Sequence, residues 1–244
     1  MKNYILITGA SSGVGRETAI RLSRKNNLVL NGRNQERLLE TKSLCSSENE
    51  IVIWQRDLSN VDDLENDLPT MLKTNDLIIE SFVHCAGILH MLPVRSVSKD
   101  ILLETYSLHV FAPELITKVL SSRKYNQNAL KSVVFISSNI SERGASAFSV
   151  YGSSKSALDG LARNLAIELA PKVRVNSILP GGMPTRMTED LSKNDSNYPL
   201  GLGKPSYIAP MVEFLLSDDA QWITGQQITI DGGRTVDITE NRYT

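Results

Sequence analysis

The chain has 244 residues, with 26 basic and 27 acidic side chains, a formal net charge of -1 and 41% hydrophobic residues. That length fits one large α/β domain with a substantial core. The balanced charge excludes a general nucleic-acid or membrane surface, and no run approaches ~18 apolar residues, so the expected partner is a small molecule.

Two cysteines occur, Cys45 in a polar stretch and Cys85 in an apolar one. Both read as free thiols in a reducing compartment. Thr8-Gly9 interrupts the first apolar run before a signal-peptide core could form, so the expectation is a soluble cytoplasmic protein.

A first strand is predicted over residues 4–8. It runs into Thr8-Gly9-Ala10-Ser11-Ser12-Gly13-Val14-Gly15, which opens a helix over 13–25. Glycines there permit a tight turn and a close backbone approach, and the helix start offers unpaired N–H groups, as a pyrophosphate requires. The second strand, 28–31, ends Asn31-Gly32-Arg33 without an acid. A carboxylate at that point binds ribose hydroxyls, whereas an arginine accommodates a 2′-phosphate, which favours NADP(H) over NAD(H).

Further strands are predicted over 51–55, 77–84, 133–138, 173–179 and 227–230, and helices over 34–46, 61–73, 99–122, 150–170 and 206–216. Seven short β-branched runs alternating with helices give a doubly wound, seven-stranded parallel sheet with helices on both faces. No linker divides the chain, so residues 1–244 form one domain. The Gly, Pro, Asn and Ser-rich stretch at about 181–205 is too long for an ordinary connection and is a candidate substrate lid.

Tyr151 and Lys155 stand four apart in the helix over 150–170, and Ser138 closes the strand over 133–138. Residues at i and i+4 share a helix face. Charges ~5 Å apart at an effective dielectric of ~20 interact by about 3 kcal/mol, roughly two pKa units, so Lys155 is expected to make Tyr151 a usable acid beside a carbonyl. His84, His90 and His109 lack ligand spacing, and no metal is expected. His90 follows Gly87 into the loop after the fourth strand and reads as a substrate contact or as surface filling.

Together these residues resemble the short-chain dehydrogenase/reductase family, and the resemblance spans nearly the whole chain. It implies a single-domain Rossmann fold and hydride transfer between a nicotinamide and a carbonyl or secondary alcohol. TGxxxGxG corresponds to Thr8–Gly15, with cofactor contacts from Gly9, Ser11, Ser12, Gly13 and Val14. The adenine-contacting pair corresponds to Asp57-Leu58, and YxxxK to Tyr151–Lys155, both residues also touching the cofactor. Ser138 falls at the catalytic serine. Pro180, Gly181, Met183 and Thr185 fall at the nicotinamide turn.

Two positions depart from the pattern. The family's Asn-Asn-Ala-Gly reads His84-Cys85-Ala86-Gly87, and the asparagine of its Asn-x-x-Gly reads His109. Because that asparagine serves through its backbone carbonyl, holding a relay water, His109 is expected to keep the role. The pattern looks most like 3-oxoacyl-[acyl-carrier-protein] reductases, with Arg123, Lys124, Lys131, Arg163 and Lys172 as a basic docking face or as solvated charges. Reduction of another ketone (sugar, quinone or steroid-like) and a non-catalytic NADP(H)-sensing regulator are the alternatives. A homodimer or homotetramer is expected from the apolar surplus of the two long helices.

Overall fold

The seven apolar runs form one all-parallel sheet in the order β3-β2-β1-β4-β5-β6-β7. The strands are β1 Asn3–Thr8, β2 Asn27–Gly32, β3 Ile51–Gln55, β4 Ile78–His84, β5 Ser132–Ile136, β6 Arg174–Pro180 and β7 Gln227–Ile230. The computed structural model describes residues 2–185 and 198–237.

Successive residues of β1 feed opposite faces, as the two-residue period of a strand demands. Tyr4 and Leu6 join one apolar cluster, which α3 (Leu64–Thr74), α5 (Ala112–Ser121) and α7 (Ser149–Glu168) cover with Leu68, Ile116 and Leu158. Ile5 and Ile7 join the other, covered by α1 (Gly13–Leu22), α2 (Gln35–Leu44) and α8 (Ala209–Leu216) through Ala19, Leu38 and Val212. The strand order reverses between β1 and β4. Their paired ends, Thr8 and His84, open the crevice where ligands of such sheets bind.

One predicted helix is corrected. The stretch expected as a continuous helix over 99–122 is α4 (Lys99–Tyr106), a π-helical turn (Ser107–Phe111) and α5, followed by a short α6 (Arg123–Asn126). Ala112 N–H reaches back five residues to the Ser107 carbonyl. Pro113 has no N–H to give the next carbonyls, so the helix cannot close regularly there.

The strand expected to reach Ser138 ends at Ile136, and Ser138 instead caps a one-turn 3-10 helix, Asn139–Ser141. Of the lid expected at 181–205, residues 186–197 lie outside the described residues. The described flanks are tied to the core: Gly203 N–H donates to Gly182 O at 3.1 Å, and Leu200 N–H to Gly232 O at 3.1 Å. Among the described residues no helix is long and apolar enough to cross a membrane.

Candidate active site

Between β1 and α1 the chain passes through Gly9 (φ +64°) and Gly13 (φ +54°), a region that disfavours side chains. A Cβ on Gly9 would lie 2.7 Å from the backbone of Ala86, so glycine alone allows the ends of β1 and β4 to meet. Ser12 precedes α1 without a side-chain capping bond, leaving the first-turn N–H groups for another acceptor. Ser11 packs beside Gly32, and Val14 lies against the core beneath the turn. Across the turn, the Thr185 methyl lies 3.8 Å from where a Cβ on Gly13 would point.

At the end of β2, Arg33 projects into solvent and faces Asp57 at 3.9 Å. The Asp57 carboxylate also accepts from Ser59 N–H and Oγ, and Leu58 is buried beside it. The left-handed glycines and the open helix start fit the pyrophosphate of a dinucleotide.

The three candidate catalytic side chains converge. Ser138 Oγ accepts from Ile140 N–H at 3.2 Å, and the Ser138 hydroxyl is near enough to the Tyr151 phenol to draw its pKa down. One turn after Tyr151, the buried Lys155 places Nζ 5.9 Å from the phenol ring centroid and donates to the Ile136 carbonyl at 2.8 Å. Gly87 brings the end of β4 in, since a Cβ there would meet Lys155 Nζ at 3.8 Å and His109 Nε2 at 3.1 Å.

The expected electrostatics need correction. Burial raises the Tyr151 pKa above the ordinary phenol value, and the neighbouring Ser138 hydroxyl only partly opposes it. Lys155 is itself pushed down to about 8, chiefly by burial, with Asp159 and then Cys85 acting the other way. Desolvation of the phenolate outweighs attraction to the ammonium. Tyr151 is therefore a protonated reserve at neutral pH, the form that donates to a developing alkoxide.

Both histidines that replace family asparagines are buried and neutral. Burial, then Lys155, holds His84 down to about 3. Burial, then Lys155 and the other two histidines, holds His109 well below its ordinary value. Partners fix the tautomers. Leu108 O can only accept, so His84 Nε2 carries the proton (3.1 Å), while Nδ1 accepts from Thr8 Oγ1 (2.8 Å). Ile88 N–H donates to His109 Nε2 (3.0 Å), so Nδ1 is the donor to Ser154 Oγ (2.8 Å), which donates on to Tyr151 O.

The imidazole of His109 thus ties the β4 loop to the Tyr151 helix, a side-chain role beyond the backbone role the resemblance implies. Pro113 denies the His109 carbonyl its α-helical donor.

Sequence reasoning missed Asp159, although its spacing from Lys155 repeats the i, i+4 signal. It is 3% exposed and faces Ser137, Ser141 and Ser177. Ser137 Oγ donates to Lys155 O and Ser141 Oγ to Ser138 O, so those protons are committed elsewhere. Oδ1 of Asp159 and Oγ of Ser177 complete no hydrogen bond. Burial accordingly raises the Asp159 pKa.

The remaining predicted residues are distributed around this centre. The Cys85 thiol, pushed up to about 12 by burial, is inert at neutral pH. Gly181 follows β6, where a Cβ would meet Asp231 at 2.7 Å, and Met183 packs against Gly203. His90 pairs with Glu104 of α4 at 3.2 Å.

A family model described as Enoyl-(Acyl carrier protein) reductase matches residues 9–235. An uncharacterized oxidoreductase of Bacillus subtilis, YmfI, is 31% identical, over 96% of this chain and 99% of its own. Carbonyl reductase family member 4 of Danio rerio is 31% identical over 96% and 98%. Among solved structures, 4-hydroxyisoleucine dehydrogenase complexed with NADH and succinate superposes with a TM-score of 0.86 at 30% identity, over 96% of this chain and all of that one. The chain belongs to the short-chain dehydrogenase/reductase family, oxidoreductases of alcohol and carbonyl groups that use a nicotinamide cofactor.

Proposed function

We propose that this short-chain dehydrogenase/reductase reduces a small ketone with NADPH. The observation carrying this reading is the meeting of Ser138, Tyr151 and Lys155 beside the glycine turn. The nicotinamide supplies the hydride. Tyr151 donates the proton to the carbonyl oxygen, Ser138 hydrogen-bonds that oxygen as charge builds, and Lys155 holds the cofactor ribose. Gly9, Gly13 and the first turn of α1 hold the pyrophosphate, with Thr185 and Met183 bordering the nicotinamide end.

Arg33 supports NADP(H): it is exposed beyond β2 and paired only loosely with Asp57. Arg33→Asp is expected to raise the KM for NADPH far more than that for NADH; equal effects would remove the assignment.

A 3-oxoacyl thioester on an acidic carrier is the second substrate reading. Lys131 and Lys172 precede β5 and β6, at the opposite end of the sheet from Ser138, and Lys131 is already paired with Glu80. Those positions favour a diffusible ketone. The exposed Leu102, Leu103, Phe111 and Ile167 support a homodimer or homotetramer, and sedimentation as a monomer alone at micromolar concentration would refute it. The free thiols of Cys45 and Cys85 support a reducing, cytoplasmic setting.

The deciding experiment follows NADPH consumption with β-ketothioesters, oxo acids, ketosugars, quinones and steroids, for the wild type and Tyr151→Phe. Consumption by the wild type that Tyr151→Phe abolishes is the expected result. No consumption with any ketone would leave a cofactor-sensing regulator.

A further inference from the structure

Beyond the end of β5, Ser137 N–H still donates to Ile178 O of β6 at 2.8 Å, and Ser138 follows just past the ladder. Ser138 caps the one-turn 3-10 helix Asn139–Ser141, so the seating of that turn decides where its hydroxyl points. The turn is gripped from two sides. Towards α7, Ile140 Cγ2 lies 3.2 Å from where a Cβ on Gly152 would stand, and Ser156 Oγ donates to Ser141 O at 2.8 Å. Towards β7, the buried Asn139 donates from Nδ2 to Asp231 Oδ2 at 3.2 Å, while the exposed Glu142 accepts from Thr229 Oγ1 at 3.1 Å.

Asp231 is a fixed anchor. Its Cα and Cβ stand 2.7 Å from where a Cβ on Gly181 would lie, so it presses on the end of β6 with no room to swing. Oδ2 also accepts from Thr235 N–H at 2.7 Å and Thr235 Oγ1 at 2.5 Å, and Oδ1 accepts from Gly233 N–H at 3.0 Å. Burial by itself would raise the Asp231 pKa, but the donors of Thr235, Asn139 and Gly233 outweigh it and hold the carboxyl below its ordinary value. Both arms of the side chain face donors, which an ionised carboxylate satisfies and an amide, with one arm a donor itself, does not.

We propose that Asn139, moored on Asp231, is a positioning residue that aims the Ser138 hydroxyl at the substrate oxygen. The inference rests on the reductase reading and extends its machinery from the trio to the end of β7. A hydroxyl that meets a developing charge has to be held to within about 0.5 Å, and a single 3-10 turn is too short to hold itself.

The test takes the ketone that the wild type reduces fastest and measures kcat and the KM for NADPH in Asn139→Ala, Asp231→Asn, Ser138→Ala and the double variant Asn139→Ala/Ser138→Ala. Asn139→Ala is expected to lower kcat about tenfold with the KM for NADPH unchanged, and to lower it no further once Ser138 is gone, because an absent hydroxyl cannot be misaimed. Asp231→Asn is expected to match Asn139→Ala. A wild-type kcat in either variant, a KM that rises as much as kcat falls, or a further loss of the same size on top of Ser138→Ala would overturn the proposal and leave the reductase reading standing. Asn139→Ala only truncates a side chain, so it decides alone should Asp231→Asn fail to fold. Should no ketone consume NADPH, the reductase reading itself fails, and hydrogen exchange of Ile140 N–H, which donates to Ser138 Oγ, decides the mooring of Ser138. Exchange about tenfold faster in Asn139→Ala with Ile88 N–H unchanged supports it, and equal exchange at Ile140 overturns it.

Discussion

The two halves of the site are finished to different degrees. Around β1, β4 and the π-helical turn, Thr8, His84, His109 and Ser154 form chains of hydrogen bonds in which each imidazole nitrogen has one partner. Around β5, β6 and the loop after Ser138, Asp159 Oδ1, Ser177 Oγ and Arg143 Nε are buried and unmatched. A completed polar network holds its geometry whatever ligand is present, whereas an incomplete one keeps charges responsive to what binds or titrates. The cluster around His84 and His109 is therefore the rigid reference, and the groups around Asp159 remain responsive.

The strongest test of that division removes the group where the halves meet. Tyr151→Phe is expected to lower kcat about 1,000-fold, since it deletes the proton donor, while NADPH affinity measured by fluorescence stays near the wild-type value. A loss of affinity as large as the loss of turnover would mean that the phenol also props up the cofactor side.

Acid titration probes the finished half. His84 is held at about 3 in the folded protein against an ordinary value of 6.5, so between those limits the unfolded chain binds a proton that the folded one refuses. Its stabilising effect is full above pH 6.5 and lost as pH falls towards 3, on the order of 5 kcal/mol in all. His109 acts in the same direction. His84→Asn should flatten the fall of Tm between pH 6.5 and 4; an unchanged slope would place the acid sensitivity elsewhere.

Asp159→Asn probes the unfinished half. Without that carboxylate the Lys155 ammonium, already pushed down to about 8, loses the main influence raising it. The alkaline limb of the kcat/KM profile should move acidward by about one pH unit, tenfold in activity beyond the limb, and Asp159→Glu should restore it. A profile that keeps its position while kcat falls would make Asp159 a packing residue only.

His109→Asn is expected to have the smallest effect. An amide can donate to Ser154 and accept from Ile88 N–H in the imidazole's place, so kcat should change a few-fold and stability by about 1 kcal/mol. Complete loss of turnover would show that the ring has a role no hydrogen bond records.

The sequence made the strands, the glycine turn and the Ser138, Tyr151 and Lys155 trio legible because each rests on local periodicity or spacing. The direction of the Tyr151 shift was not legible. Spacing announces the neighbouring charge but not how much water the fold removes. The pairing of His84 with Leu108 and of His109 with Ile88 joins residues more than 20 positions apart, across β4 and a helix whose irregularity only Pro113 foreshadows. Nothing local in the sequence marks Arg143, whose Nε is buried without a hydrogen-bond partner among the described residues.

The bond from Ile88 N–H to His109 Nε2 has a use outside catalysis. Ile88 belongs to an irregular stretch where amides ordinarily trade hydrogen for deuterium within seconds to minutes, yet this one is pinned to a sealed imidazole. Its exchange clock reports the opening of the β4 loop directly, and slowing of that clock on titration with NADPH would register cofactor seating without any turnover.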